Sequence, residues 1–159
     1  KVCHKLAHNI LDSRQDAEEC VNDAYLGTWN AIPPQRPDPL LPFVCVLVRR
    51  YSIMRYRANT AMKRNSSYDA CMEEIENCIA APGRVEDHYE AKVLARTIER
   101  FLDTLSRENR VIFMRRYWYS DSYAAIAALT GLTEKNVSVR LARVRKQLRD
   151  YLMKQGVLT

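Results

Sequence analysis

The segment from Ser122 to Arg149 carries the residue types with the clearest chemistry in this chain, because cations and small polar groups recur on one side of a helical pattern. At 3.6 residues per turn, Val137, Leu141 and Val144 continue to Leu148 as one apolar stripe. Cations bind DNA phosphates, and short polar or apolar side chains reach base edges. The candidate base-edge residues are Lys135, Asn136, Ser138, Val139 and Ala142, and the candidate phosphate clamps are Arg140, Arg143 and Lys146.

The residues before that helix predict a helix-turn-helix. Tyr123 to Thr130 is rich in alanine and long enough for a supporting helix, Gly131 can adopt the left-handed turn conformation, and Thr133 can cap the next helix. The alternative is that a basic outer face is only a solvated helix surface. The turn and the cap together favour DNA binding.

The formal net charge of +6 is distributed unevenly. Residues 1–68 contain ten Lys or Arg and six Asp or Glu, residues 69–90 contain one and seven, and residues 91–159 contain fourteen and six. Two basic blocks therefore flank an acidic one. Basic blocks give salt-dependent affinity for polyanions, whereas an acidic connector cannot lie on the same phosphates.

Cysteine usage and apolar runs exclude several other classes of protein. Cys3, His4 and His8 could be drawn as metal ligands, but no fourth ligand is nearby in the sequence, so we expect no cofactor. The longest apolar run, Phe43 to Val48, is too short to cross a bilayer and no signal-peptide pattern occurs, so we expect a cytoplasmic protein. The five cysteines show no paired spacing and indicate cytosolic thiols: Cys3, Cys20, Cys45, Cys71 and Cys78.

The first half of the chain predicts helices on both sides of a proline-rich loop. Asp16 to Trp29 is amphipathic with an acidic face, and five of the six prolines between Ile32 and Pro42 predict a stiff loop without regular helix. Helix resumes at Phe43. The buried side of the first of these helices would be formed by Ala17, Val21, Ala24 and Thr28.

The helix after the loop continues into a run of cations and tyrosines. Tyrosines interleaved with arginines suit single-stranded nucleic acid, because unpaired bases stack on the rings and the cations follow the backbone. The alternative is a basic helix with core tyrosines. Beside a duplex-binding domain, the pattern favours a protein that holds the duplex and the opened strand of a promoter. The run comprises Arg49, Arg50, Tyr51, Arg55, Tyr56, Arg57, Lys63 and Arg64.

No strand-like alternation of useful length occurs, so we predict an all-α chain of two small helical domains joined by a flexible acidic linker. We expect the first domain at residues 1–65, the linker at 66–90 and the second domain at 91–159. A short helical turn is expected around Cys71 to Ile79. In the second domain, Ser106 and Ser122 are the predicted caps of the two helices that follow them. An apolar helical stripe before Ser106 is formed by Leu94, Ile98, Phe101, Leu102 and Leu105.

The chain resembles the sigma-70 family of bacterial RNA polymerase initiation factors, in particular its small two-domain extracytoplasmic-function (ECF) group. Asp16 to Trp29 is similar to the family's region 2.2, Pro42 to Arg57 to regions 2.3 and 2.4, and Phe101 to Leu148 to region 4. These segments cover nearly the whole chain in the family's order. The resemblance implies a factor that is not an enzyme, binds core RNA polymerase and directs initiation from a two-part promoter.

The resemblance also implies roles for individual residues. The loop Pro33 to Pro42 aligns with the loop that holds a flipped base of the −10 element, and residues 66–90 with a segment that threads toward the polymerase active site. An anti-sigma factor is expected as a further partner. Core polymerase contacts are implied at Asp16, Glu19, Asn22, Asp23 and Leu26, −10 contacts at Arg49, Arg50, Tyr51, Arg55, Tyr56 and Arg57, and the main −35 positions at Ser138, Val139, Ala142 and Arg143.

Three features depart from the family pattern. Members often have asparagine where this chain has Arg50 and aspartate where it has Met54, so the −10 base preference is not carried over. The chain opens at Lys1, inside what resembles the first region 2 helix, and we expect further residues before it.

Three other functions agree less well with the residues. A stand-alone regulator that uses the helix-turn-helix as a dimer leaves residues 1–68 without a role. An adaptor that binds only protein does not explain two basic blocks. An enzyme would need a catalytic cluster, and the candidate carboxylates have no histidine close in sequence. Those carboxylates are Asp16, Glu18, Glu19 and Asp23.

Overall fold

The computed structural model describes residues 1–59, 67–79 and 88–157, with side chains from residue 92 onward in the last range. Within these ranges the chain forms eight α-helices and no strand, which confirms the predicted all-α class. It divides into two compact units, Lys1–Ala70 and Cys71–Thr159. The helices are α1 (Val2–Ile10), α2 (Arg14–Ala31), α3 (Leu40–Asn59), α4 (Ser67–Ile79), α5 (His88–Thr104), α6 (Arg107–Tyr117), α7 (Tyr123–Thr130) and α8 (Glu134–Lys154).

In unit 1, α1, α2 and α3 pack on one another around a small apolar core. Ser13 caps α2, because its side-chain oxygen accepts a hydrogen bond from the N–H of Asp16 at 3.2 Å. The side of α2 predicted to be buried is buried. The core residues include Leu6 and Ile10 of α1, Ala17, Val21 and Ala24 of α2, and Val44, Cys45 and Val48 of α3.

The loop after α2 is shorter than predicted. Helix α3 begins at Leu40, so Pro42 lies in its first turn rather than in the loop. Proline is tolerated there because the first N–H groups of a helix have no acceptor within the helix. The prediction that residues 32–42 lack helix is therefore wrong for the last three of them.

Unit 2 buries the apolar stripes of α5 to α8 against one another. The half-buried residues Leu94, Ile98, Leu102 and Leu105 pack on this core, as the predicted stripe of α5 requires. The buried residues contributed by these four helices are Phe101, Ile112, Phe113, Tyr117, Ile126, Ala127, Val137, Leu141, Val144, Leu148 and Leu152.

The helix-turn-helix is formed by α7, Gly131 and α8. Side-chain oxygens of Ser106, Ser122 and Thr133 each accept a hydrogen bond from the backbone N–H three residues later, at 3.2 to 3.3 Å, which confirms all three predicted caps. Gly131 has φ of +70°, a conformation that costs other residues about 1–2 kcal/mol. The predicted turn is thereby confirmed.

Residues 71–79 of the predicted linker belong to unit 2 and form most of α4. At 13 residues, α4 is longer than the turn expected around Cys71 to Ile79. Cys71 is fully buried in the core of unit 2, and Met72, Ile75 and Ile79 pack against that core. The domain limits at 65 and 90 stay a prediction. Residues 60–66 and 80–87, which include Lys63 and Arg64, lie outside the described residues.

Among the described residues, no helix combines the length and the apolar character needed to span a membrane.

Candidate nucleic-acid interface

The outer face of α8 has the composition that the sequence predicted. The opposite stripe, Val137 to Leu148, is buried, so the division into an inner and an outer face is confirmed. Lys135, Asn136, Ala142, Arg143 and Lys146 are exposed, Val139 is 42% exposed, and Ser138 and Arg140 are half-buried.

The cations of α8 differ in what holds them. Nη1 of Arg140 lies 2.7 Å from Oε2 of Glu108 on α6. Across the residues that the structure describes, Arg143 and Lys146 form no ion pair. An exposed cation without a carboxylate partner can neutralise a phosphate without first breaking a contact within the protein. Arg143 and Lys146 are therefore the best placed phosphate clamps.

Small side chains lie between those cations. The side chains of Val139 and Ala142 are short and project little from the middle of the face. The helix can therefore approach a base edge or a thymine methyl group closely. Lys135 and Asn136 lie in the first turn of α8, the end of a recognition helix from which side chains reach base edges. The face can thus contact bases along its first turns and hold phosphates through Arg143 and Lys146.

A carboxylate on α4 joins three other helices of unit 2. Glu74 accepts hydrogen bonds from Arg116 at 2.6 and 3.3 Å and from Tyr117 at 3.0 Å, both on α6. It also accepts from Tyr123 at the start of α7 at 2.8 Å and from Arg145 on α8 at 3.1 Å. The guanidinium of Arg116 lies over the ring of Tyr123, 4.5 Å from its centroid. We call this group of five side chains the Glu74 cluster.

The carboxyl group of Glu74, at the centre of the cluster, is ionised at neutral pH. Burial raises the pKa of Glu74, but hydrogen bonds from Arg116 and Tyr123 outweigh burial, and the net pKa lies below its ordinary value of 4.5. Burial raises the pKa of Tyr117 and Tyr123, so both phenols keep the proton that they donate. One carboxylate is therefore shared by two guanidinium groups.

Sequence reasoning missed Glu74, Arg116 and Arg145. The apolar spacing of Cys71, Met72, Ile75 and Ile79 was a signal that the segment forms an amphipathic helix. The pairing itself has no local signal, because the partners of Glu74 lie 42 to 71 positions away in the chain.

In unit 1, the cations of α3 are not equivalent. Arg50 and Arg57 are exposed and Arg49 is half-buried. Arg55 instead pairs with α2, since its Nη1 lies 3.2 Å from Asp16 Oδ1 and its Nη2 lies 3.1 Å from Glu19 Oε2. Three residues that the sequence analysis assigned to two different surfaces thus form one contact between α2 and α3.

The tyrosines of α3 also have partners within unit 1. The hydroxyl of Tyr51 lies against Gly27, only 2.8 Å from where a Cβ would stand at that position. The hydroxyl of Tyr56 donates to Asp69, and its ring lies edge-on to Tyr68 with centroids 5.2 Å apart. These contacts favour the core-tyrosine alternative for both residues, and base stacking by them stays a prediction.

The outer face of α2 is apolar as well as acidic. Asn22, Asp23 and Leu26 are exposed, as predicted for contacts with a partner protein. Tyr25 is 48% exposed and Trp29 is 80% exposed, and sequence reasoning missed both. Each directly follows a residue of the predicted buried side, Ala24 or Thr28, and this position at the edge of that side was the available signal. Exposed aromatic side chains beside one another are typical of a protein-protein interface.

Three of the five cysteines are poorly suited to reaction as thiolates. Burial raises the pKa of the Cys20, Cys45 and Cys78 thiols, which disfavours the thiolate needed for nucleophilic attack or metal binding. No group of three His, Cys, Asp or Glu side chains in the described ranges is placed to hold a metal ion.

Two family models match the chain in the order of its two units. Sigma-70 region 2 matches residues 2–62, and Sigma-70, region 4 matches residues 95–148. The chain belongs to the sigma-70 family. The region 2 match covers α1 to α3 and the region 4 match covers most of α5 to α8, so α4 lies between the two matched segments.

A relative supports the predicted group within the sigma-70 family. The chain is 22% identical over 153 residues to the ECF RNA polymerase sigma factor SigE of Mycolicibacterium smegmatis (strain ATCC 700084 / mc(2)155), which confirms the predicted ECF resemblance. The aligned part is 96% of this chain and 58% of the relative, so the chain spans less than two thirds of that protein. No solved structure matches the chain.

The depressed pKa of Glu74 predicts a pH-dependent stability of unit 2. A carboxylate whose pKa is lower in the folded state stabilises that state above its unfolded pKa, and this stabilisation is lost as the pH falls through the folded pKa. We expect the melting temperature to fall less between pH 7 and pH 3 in Glu74→Gln than in Glu73→Gln, a variant of the exposed neighbour. Trp118 fluorescence in a Trp29→Phe background reports on unit 2. Equal falls in the two variants would contradict the prediction.

Proposed function

We propose that this chain is a specificity subunit of bacterial RNA polymerase, which binds the core enzyme and directs it to promoters through −10 and −35 elements. The observation that carries the proposal is the exposed face of α8 with Arg143 and Lys146, placed within a family match to region 4. The chain supplies binding and no chemistry of its own, and the polymerase performs phosphoryl transfer. Its place of action is the cytoplasm, where the polymerase and the DNA are.

In this proposal α8 enters the major groove at the −35 element. Lys135, Asn136, Ser138, Val139 and Ala142 face the base edges. Arg143 and Lys146 hold phosphates, and Arg140 joins them because an exposed ion pair with Glu108 is worth at most about 1 kcal/mol.

The −10 element is contacted by the outer side of α3 and by the loop before it. Arg50 and Arg57 contact the backbone of the opened strand, and Arg49, Tyr51 and Tyr56 complete that site. Arg55 stays paired with Asp16 and Glu19 and fixes α3 against α2. Its contribution to −10 binding is therefore indirect.

The outer face of α2 binds the core enzyme. Asn22, Asp23 and Leu26 form this surface together with the exposed Tyr25 and Trp29. Asp16 and Glu19 add negative charge at its edge while they hold Arg55. An anti-sigma factor, the expected regulator, acts by competing for the surfaces that bind core enzyme or DNA.

The proposal is tested by gel shift of a promoter fragment with the purified chain, with core polymerase, and with both. We expect specific binding at physiological salt only when both proteins are present. Tight binding by the chain alone to a palindromic site would instead support a stand-alone regulator. Failure of the chain to associate with core polymerase would sink the proposal.

Arg143→Ala tests the −35 assignment. If Arg143 makes a bidentate base contact, its loss should weaken promoter binding by the holoenzyme by roughly 1 to 3 kcal/mol; if it holds a phosphate, the salt slope should fall by about one. The matched control is Arg100→Ala, an exposed arginine of α5 outside the predicted sites. Run-off transcription and gel shift across a salt series measure both effects. Equal behaviour of the two variants removes Arg143 from the interface.

Asp23→Arg tests the core-binding surface of α2. Reversing this exposed charge should lower retention of core polymerase roughly tenfold. The negative charge that attracts the polymerase surface is replaced by a positive charge that repels it. Asp12→Arg makes the same charge change at an exposed residue before α2 and should have a smaller effect. The measurement is a pull-down of core enzyme, with circular dichroism as the folding control. Normal retention by Asp23→Arg argues against this face.

A further inference from the structure

We propose that Glu74 is a positioning residue for duplex recognition, and that α4 is part of the DNA-reading unit although it lies outside both matched family regions. The carboxylate of Glu74 fixes α6, α7 and α8 in the mutual orientation that presents the outer face of α8. This inference rests on the proposed function, since it concerns the unit assigned to the −35 element.

The first argument is how many elements one carboxylate joins. A carboxylate has about four acceptor positions. Glu74 fills them with donors from α6, from the first residue of α7 and from the middle of α8. The chain itself joins α7 to α8 only through the short turn at Gly131. The Glu74 cluster therefore constrains the angle between the two helices of the helix-turn-helix.

The second argument is where α8 is held. Arg145 lies two residues after Arg143 and one before Lys146, the two cations proposed to hold phosphates. Its Nη1 also donates to the hydroxyl of Tyr117 at 2.7 Å. The Sγ of Cys78 donates to the backbone carbonyl of Arg145 at 3.0 Å, so α4 contacts both the side chain and the main chain of this residue. Any displacement of Arg145 moves its neighbours on the outer face.

The third argument is electrostatic. The side chains of Arg116 and Arg145 are only 6% and 21% exposed, and both are held by the same carboxylate. Without Glu74, two like charges would face each other with little solvent between them, and their repulsion would loosen the contact between α6 and α8. If Glu74 only filled space in the core, its substitution would not cause this repulsion between Arg116 and Arg145.

The fourth argument is that α4 is anchored to unit 2 independently of the charge. Cys71 is fully buried, and Met72, Ile75 and Ile79 pack on the core that also contains Leu141 and Leu148. This apolar contact places the carboxylate of Glu74 beside the four side chains that donate hydrogen bonds to it. Substitution of Glu74 should therefore loosen the cluster without detaching α4.

The test uses the full chain with core polymerase and two promoter fragments, one with an intact and one with a scrambled −35 element. We expect Glu74→Gln to lower the ratio of affinity for the intact fragment to affinity for the scrambled fragment about tenfold. A change of this size is within the range found for residues that affect binding without contacting the ligand. Glu73→Gln, at an exposed position of the same helix, should keep the wild-type ratio. Wild-type discrimination by a folded Glu74→Gln holoenzyme overturns the positioning role, even if that variant melts at lower temperature.

A second variant keeps the inference testable if Glu74→Gln does not fold. Tyr123→Phe removes one of the hydrogen bonds to Glu74 and leaves every charge paired. Hydrogen exchange of the full chain without polymerase should show amides at the start of α7 and around Arg145 exchanging about fivefold faster than in wild type. Unchanged exchange would refute the cluster as a clamp. Because this measurement needs neither polymerase nor DNA, it separates failure of the clamp from failure of the proposed function.

Discussion

Burial of the apolar stripe of α8 is the constraint on which the rest of unit 2 depends. Four side chains, Val137, Leu141, Val144 and Leu148, are 0 to 2% exposed. Exposing them by rotating the helix would cost about 6–12 kcal/mol at 1.5–3 kcal/mol each, which is comparable with the whole stability of a domain. The rotation of α8 is therefore fixed by apolar contacts. The outer face follows from it, and the cations there cannot be withdrawn into the core.

Electrostatic contacts then decide which cations of α8 are available. Arg140 pairs with a Glu108 side chain that is 76% exposed, and such a pair gives way easily to a phosphate. Arg145 is tied to a partly buried carboxylate shared with Arg116, and a partly buried pair is less screened by solvent than an exposed one. Under the proposed function, the same residue type on one helix thus serves recognition at position 143 and internal positioning at position 145. Arg143 and Arg145 differ because, in the described ranges, α4 supplies a carboxylate to Arg145 and not to Arg143. The periodicity of α8 does not show which of its arginines has such a partner.

The sequence was sufficient for features that depend on local spacing. The caps at Ser106, Ser122 and Thr133, the left-handed Gly131 and the two faces of α8 all follow from residues within a few positions of one another. It was insufficient where a contact joins distant residues. Nothing near Arg55 indicates that it pairs with Asp16 and Glu19 instead of remaining exposed. The prediction of a loop up to Pro42 was wrong for a different reason. A proline is tolerated in the first turn of a helix, and the sequence did not show where α3 begins.

The acidic segment between the two basic blocks shows why composition alone gave an incomplete interpretation. A run of acids predicts a solvated linker, and Glu73 and Glu76 are indeed exposed. Asp69, however, accepts a hydrogen bond from Tyr56 in unit 1, and Glu74 is shared by two arginines in unit 2. In unit 2 this carboxylate offsets part of the positive charge on the inner side of the helices, whereas Arg143 and Lys146 are exposed on the outer face of α8. A basic domain gains little specificity from charge spread over its whole surface, because phosphates then bind in many orientations. Under the proposed function, the acidic helix therefore contributes to DNA recognition by restricting where the positive charge is exposed, without contacting DNA itself.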